Sequence, residues 1–364
     1  MMKELLGATA SLNAALGVAA LGAAHALGSR ALALLGVHLL LVVALRAARA
    51  AKIARLCRDG ADPWQVAYLI AFVEFPLMWE FGTSFGFFST FAVPTISAVL
   101  SASKGFELCP QARYDDTAIL IHEIGEHGPR SARGAAALKR TREIHAKYTI
   151  RRDDLAYTLW VFCFEPVRWV DAFGWRVVTA AEKTALWGFW REVGVGLGIA
   201  DLPVEGEEFE AWGTAFEARG WRRAAANRRL SDYVINLAAT WGPGPRALKR
   251  RLLLWSICAL CPTPRLIDAL GLQDDHKTTP RWFRVALKAV MYARGWAVGA
   301  LLPPRPTWWP GTLLRAERRA PAAGGEPSFG CPAGCLTYKE LGGYTISELG
   351  PPHAAAHAYP VAGQ

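Results

Sequence analysis

Apolar positions dominate the start of the chain. From Leu5 to Ser29 no residue carries a full charge, and the stretch "ALALLGVHLLLVVAL", residues 31–45, lies between Arg30 and Arg46. As a helix those fifteen residues span about 22 Å, short of the roughly 30 Å hydrocarbon layer of a bilayer. Extending the helix back through Ala26, with the Arg30 guanidinium reaching to the interface, makes it long enough. Arg46, Arg49, Lys52, Arg55 and Arg58 follow at once, and this basic flank places everything downstream on the cytosolic side of a membrane anchor. Two other arrangements fit the same pattern: a cleaved targeting peptide of some thirty residues, or a buried hairpin in a soluble protein.

After "DGADPW" at 59–64 the pattern becomes helical. "VAYLIAFVEFPLMWEFGTSFGFFSTF" is apolar enough for a second span, but Glu74, Pro76 and Glu80 interrupt it, so it reads as two buried core helices broken at Pro76. "PTISAVLSAS", "RYDDTAILIHEIGEH", "GAAALKRTREIHAKY", "RDDLAYTLWVFCFEPVRWV", "TAAEKTALWGFWREVGVGLGI" and "EGEEFEAWGTAFEARGW" follow as helices. Asp153 or Asp154 suits the cap before "LAYTLW", and Thr179 with Glu182 three residues on makes a capping box. Few stretches alternate with β-branched residues, so the fold class is all-α. From Pro303 the text turns to "PPRPTWWPG" and "APAAGGEPSFGCPAGC", too rich in Pro and Gly for regular packing, and "PPHAAAHAYPVAGQ" reads as disordered. The domain reading is an anchor with its basic flank at 1–60, a helical domain at 61–302 and a tail at 303–364.

Composition sharpens this reading. Of the 364 residues 52% are hydrophobic and 15 are Trp, which indicates a greasy interior or a lipid-facing surface. The net charge of +10 raises nucleic acid and membrane as partners. The basic clusters "WRRAAANRRL" and "ALKRRLLLW" carry no nucleic-acid motif and fit helix faces beside an anionic membrane. Seven cysteines, an odd number, argue against a secreted disulfide framework. Cys258-x-x-Cys261 with Cys331-x-x-x-Cys335 could make a zinc site, but reduced, mostly buried thiols are the default.

The most chemical stretch is "RYDDTAILIHEIGEHG", residues 113–128. A zincin needs His at i and i+4, but Glu126 holds that place and His127 lies at i+5. At about 100° per residue, five steps turn it roughly 140° from His122, too far for one ion. The inverted order fails because Glu123 stands where it requires His. A polar helix end running into Gly128-Pro129 remains.

"EFPLMWEFGTSFGFFSTFAVPTIS", "RYDDTAIL", "IHAKYTIRRDDLAYTLWVFCFEPVRWV" and "FGWRVVTAAEKTALWGFWREVGVGLGI", in this order, resemble the catalytic domain shared by endoplasmic-reticulum-bound mpaB-type oxygenases and bacterial rubber oxygenases, the latex clearing proteins. The likeness runs from about residue 66 to 255 and is closest to the eukaryotic membrane-bound branch, which "LGGYTISELGP" near the end also resembles. The resemblance implies a multi-helix bundle binding haem b without a covalent link, with a proximal histidine on the iron and an upstream Arg-x-x-x-Thr motif in a helix over the distal face. Arg113 and Thr117 reproduce that pair, and their i, i+4 spacing puts both on one helix face. His145, twenty-eight residues beyond Thr117, stands where the proximal ligand falls. His122 is a second candidate for the iron, Asp116 stands where rubber oxygenases place a lysine, and Arg142 or Arg151 could meet a propionate. Asp153, Asp154, Glu165, Arg168 and Asn227 sit in motifs shared with the eukaryotic branch and read as caps and buried ion pairs.

The functional expectation is a haem b-dependent oxygenase in the endoplasmic reticulum membrane that uses O2 to cleave a C=C bond of a hydrophobic, isoprenoid-like small molecule. The alternatives are a non-catalytic haem-binding membrane protein acting as sensor or carrier, a structural membrane protein that keeps the fold without cofactor, and the zinc hydrolase set aside above.

Overall fold

A computed structural model describes residues 2–261, 263–308 and 344–350, with side chains from Ala31 onward except Glu348. Among the described residues there are helices and no strands: α1 Met2–Arg58, α2 Pro63–Tyr68, α3 Pro76–Ser89, α4 Pro94–Ala102, α5 Gly105–Leu108, α6 Pro110–His127, α7 Ala132–His145, α8 Arg152–Phe173, α9 Ala180–Gly196, α10 Gly206–Gly220, α11 Ala225–Ala238, α12 Arg246–Leu260, α13 Pro264–Ala269, α14 Gln273–Thr278 and α15 Arg281–Leu301. Five of them (α2, α3, α4, α6 and α13) begin on proline, whose fixed φ and missing N–H cost nothing in a first turn. Cys331 and Cys335 and the segment 351–364 lie outside the described residues.

α1 breaks at Gly28 (φ 76, ψ 170), and from Ala31 to Arg58 it is long and apolar enough to cross a membrane. Its 28 residues reach about 42 Å, and Leu34, Val37, Leu40 and Val43 on its first half are exposed. The next apolar stretch bends by 104° between Glu74 and Pro76. Leu69–Glu74 is a π-turn, where the Phe75 N–H bonds the Ile70 carbonyl at 3.0 Å, and Pro76 then starts α3. Glu74 is buried and meets Arg49 of α1 at 3.0 Å, so the break at Pro76 belongs to the core.

The core is centred on α8, buried around most of its circumference. α3 lies against it so closely that a Cβ on Gly82 would sit 2.4 Å from the Pro166 Cα. Tyr157 of α8 stacks on Phe216 of α10 at 4.7 Å, and Trp187 of α9 meets Phe209 of α10 at 4.6 Å. Such rings bury large apolar areas and set helix spacing. The capping box at Thr179 and Glu182 is present. The cap before α8 is Arg151, with no side-chain bond; Asp153 and Asp154 lie in the first turn, where the helix dipole favours their charge. Of the Pro/Gly-rich tail, residues 344–350 pack back onto the bundle, with Tyr344 and Leu349 buried.

Candidate functional site

α6 and α7 form an antiparallel hairpin, and its geometry explains how residues thirty-two apart in sequence meet. Arg113 to His127 is fourteen residues, about 21 Å, and Ala132 to His145 is thirteen, about 20 Å, so the start of α6 and the end of α7 return to one level. The turn between them is tight. Gly128 has φ 82, a Cβ on Gly134 would fall 1.9 Å from the Gly128 carbonyl oxygen, and Ser131 caps α7 by accepting from the Gly134 N–H at 3.0 Å.

At that level lies an open cavity of about 1370 Å³, counting the solvent-filled space at its mouth. Arg113, Asp116, Thr117 and His145 all line it. Its walls are otherwise mainly apolar, with Ile96, Leu120, Ile121, Leu159, Phe162 and Trp190 among them. Burial and the neighbouring Arg113 guanidinium push the His145 imidazole down to about 4, so the ring is neutral at physiological pH. Arg113 donates from Nη1 to the Thr117 hydroxyl, which in turn donates to the Arg113 carbonyl at 3.2 Å. The guanidinium lies 5.5 Å from the Phe106 ring, and its buried Nε has no partner among the described residues. The Trp190 Nε1 is likewise buried and unpaired.

The other sequence candidates lie elsewhere. Arg142 and Arg151 are exposed and do not line the cavity. His122 lines two smaller cavities of about 560 and 360 Å³, donating from Nδ1 to the Ala118 carbonyl at 2.8 Å with Nε2 3.7 Å from Glu80. Glu123 serves a different end. Arg133 grips its carboxylate at 2.6 and 2.8 Å, Tyr344 donates to it at 2.5 Å, and His127 stands 3.6 Å away. Burial pushes the Glu123 carboxyl up, but Arg133 and Tyr344 outweigh it and hold it below its ordinary value. The polar text "HEIGEH" is thus two separate pairs on two faces of α6, and one of them straps the chain's end to the hairpin. Cys258 and Cys261 are free thiols, pushed up by burial to about 11 and about 12.

Four further wall residues had no strong signal in the sequence. Asp154 lines the cavity and accepts from Thr95 at 2.9 Å; Tyr148, Trp190 and Gly350 line it too. Gly350 arrives with the strap, whose Leu349 carbonyl accepts from Arg140 at 2.8 Å. Their placement depends on contacts across long sequence separations, and only the "LGGYTISELGP" likeness pointed to the last.

The donor set suits a tetrapyrrole: one neutral imidazole, one half-buried cation whose Nε–H has no partner among the described residues, a hydroxyl and a carboxylate in an apolar cavity. His145 would hold the iron, and Arg113 would be the charge partner for a propionate.

Comparison with known proteins finds relatives named as oxygenases. The chain is 30% identical over 269 residues to a protein named ER-bound oxygenase mpaB' from Penicillium brevicompactum, covering 65% of this chain and 58% of that one. It is 33% identical over 189 residues to the ER-bound oxygenase mpaB of Penicillium roqueforti (strain FM164), 47% of this chain and 63% of that one. It is also 35% identical over 181 residues to the mpaB of P. brevicompactum, 45% and 46% of the two chains. The match thus spans about half to two-thirds of each relative. No solved structure matches. The hairpin, the core around α8 and every cavity-lining residue but Gly350 fall within residues 72–293, the span matched by the model for the ER-bound oxygenase mpaB/B'/rubber oxygenase catalytic domain, and the chain belongs to that family.

Proposed function

We propose that the chain is a haem b-dependent oxygenase that uses O2 to cleave a C=C bond of a hydrophobic, isoprenoid-like substrate. The observation that carries this reading is the convergence of Arg113, Asp116, Thr117 and His145 on one large apolar cavity. Haem b, when bound, supplies the iron at which dioxygen is activated.

The chain's own residues supply the rest. His145 offers an imidazole that need lose no proton before ligating, since burial and Arg113 already hold it neutral. Arg113 keeps one N–H free, among the described residues, for a carboxylate or a polarised oxygen. The Thr117 hydroxyl spends its single proton on the Arg113 carbonyl and accepts from Nη1, so it aims the guanidinium and is a positioning residue. Asp116, 1% exposed, puts a carboxylate at the position of the rubber-oxygenase lysine, suited to hold a water. The apolar walls exclude bulk water and take an apolar chain.

Localisation follows the same reading. Ala31–Arg58 is the single span in the endoplasmic reticulum membrane, and its basic end sets the catalytic domain on the cytosolic side. The test of activity is O2 consumption by the full chain, purified with haem supplied, in the presence of a polyisoprenoid alkene. The expected result is O2 uptake coupled to loss of the alkene and gain of carbonyl products. Retention of haem with no such turnover would make the protein a carrier or sensor.

A further inference from the structure

α15 presents an apolar face that no described element covers. Trp282, Val285 and Val290 are 66%, 64% and 63% exposed, and with Ala286, Ala289 and Leu301 they form one uncharged arc along the helix. The opposite side packs on the bundle: a Cβ on Gly295 would lie 2.6 Å from the Phe173 carbonyl oxygen, and Met291 is buried. Along the roughly 30 Å of α15 the arc is exposed from Trp282 to Val290, half-buried through Ala293, Ala297 and Ala300, and exposed again at Leu301, with the exposed cations Arg281 and Lys288 on its flank and no acidic residue in the helix. On a soluble surface, an apolar strip of this length is a liability.

The C-terminal end of α15 is fixed to α1. His38 meets the Leu301 carbonyl at 2.8 Å, and Arg46 donates to the carbonyls of Val298 at 2.5 Å and Leu302 at 2.8 Å. These carbonyls belong to the last turn, which has no helical partners and would ordinarily be left to water. Satisfying them from the side chains of an apolar helix is what a helix end needs where water is scarce. His38 and Arg46 bracket the second half of the apolar stretch of α1, so the end of α15 sits where the lipid-facing part of α1 meets its basic flank. Beyond it Arg49 holds the Arg305 carbonyl at 3.0 Å, and Trp308 is 76% exposed nearby in sequence.

We infer that α15 is a second membrane contact, lying in the interface of the bilayer that α1 enters, with its arc from Trp282 to Leu301 in lipid and Arg281 and Lys288 toward anionic headgroups. The inference rests on the reading of α1 as a span, with which the arc is continuous. Its chemistry is that of an in-plane helix: apolar on one side, basic at the rim, with Trp at the interface. It would hold the domain against the phase in which an isoprenoid substrate dissolves.

The test uses the full chain in vesicles of phosphatidylcholine and phosphatidylserine, with and without lipids brominated on the acyl chains. The emission of Trp282 is read as the difference between wild type and Trp282→Phe, both shown to be folded by circular dichroism. Lipid contact predicts that this difference signal loses more than half its intensity to the brominated lipid and resists acrylamide. Quenching by acrylamide alone would place Trp282 in water, and protection from both quenchers would place it under protein, such as residues 309–343; either result overturns the inference. Failure of the protein to float with vesicles at all would instead remove the anchor reading, and the inference with it.

Discussion

Two buried polar groups in this molecule use similar residues and arrive at opposite ends. Between α8 and α10, the Glu165 carboxylate takes Trp169 at 3.1 Å and Arg168 at 3.4 Å. Glu217 takes Tyr157 at 3.3 Å and Arg168 at 3.5 Å, and Trp221 donates to the Tyr157 hydroxyl at 3.1 Å. Arg168 also lies 4.5 Å over the Trp160 ring. Both carboxylates and both indoles of this group find a partner, and Glu165, Arg168 and Glu217 line none of the three cavities described. On α6, Arg113, Asp116 and Thr117 face open space, the Arg113 Nε is unpaired, and one residue away the Asp115 Oδ2 is unpaired too. A buried polar group left unsatisfied costs about 1–3 kcal/mol, so a fold keeps one where something else is meant to complete it. We read the first group as architecture and the second as a site, although the sequence places both in motifs of the family.

The comparison can be broken by exchanging which group is disturbed. Arg168→Ala should cost about 3 kcal/mol in chemical denaturation, because it strips two largely buried carboxylates of their cation. A loss below about 1 kcal/mol would show that the network is not what holds α8 to α10.

The next effect is a pH dependence. Burial raises the Glu217 carboxyl to about 7 from 4.5, so the folded state holds its proton more tightly than the unfolded chain does. The stability from this group is therefore full below about pH 4.5 and lost as pH rises through about 7. Glu217→Gln should flatten the decline in unfolding free energy over that window by about 1–2 kcal/mol, as measured by denaturation at several pH values. An unchanged slope would mean that Glu217 is ionised in the folded protein.

Tyr344→Phe, which removes the strap's bond to Glu123, should cost about 1 kcal/mol in the same assay. The smallest stability effect belongs to the site. Arg113→Ala should change unfolding by less than about 1 kcal/mol in protein free of haem, because among the described residues the guanidinium's hydrogen bond is to Thr117 alone. The same variant should show the larger loss in haem retention, and equal losses in both assays would erase the distinction between network and site.

How far the sequence carried this account can be argued from particular residues. The all-helical fold was legible, because apolar spacing and caps act locally; Thr179 and Glu182 closed the box their spacing predicts. Arg113 and Thr117 were legible as one face of one helix, and His145 through the order of the motifs. Arg142 was not, because two steps beyond the buried Arg140 turn a helix by about 200°, which puts Arg142 on the exposed side. Asp154 read as a cap, but it is spent on Thr95 and the cavity wall. Trp190 and Gly350 line the cavity from α9 and from the chain's end, positions fixed by tertiary packing that no local pattern records.

The central claim is that His145 holds a haem iron. Absorption spectra of the purified full chain with haem supplied, wild type beside His145→Ala and His122→Ala, test it most directly. The account predicts that wild type and His122→Ala keep a Soret band, whereas His145→Ala, still folded by circular dichroism, loses it or retains haem only weakly. A His145→Ala protein with the wild-type band at full intensity would contradict it.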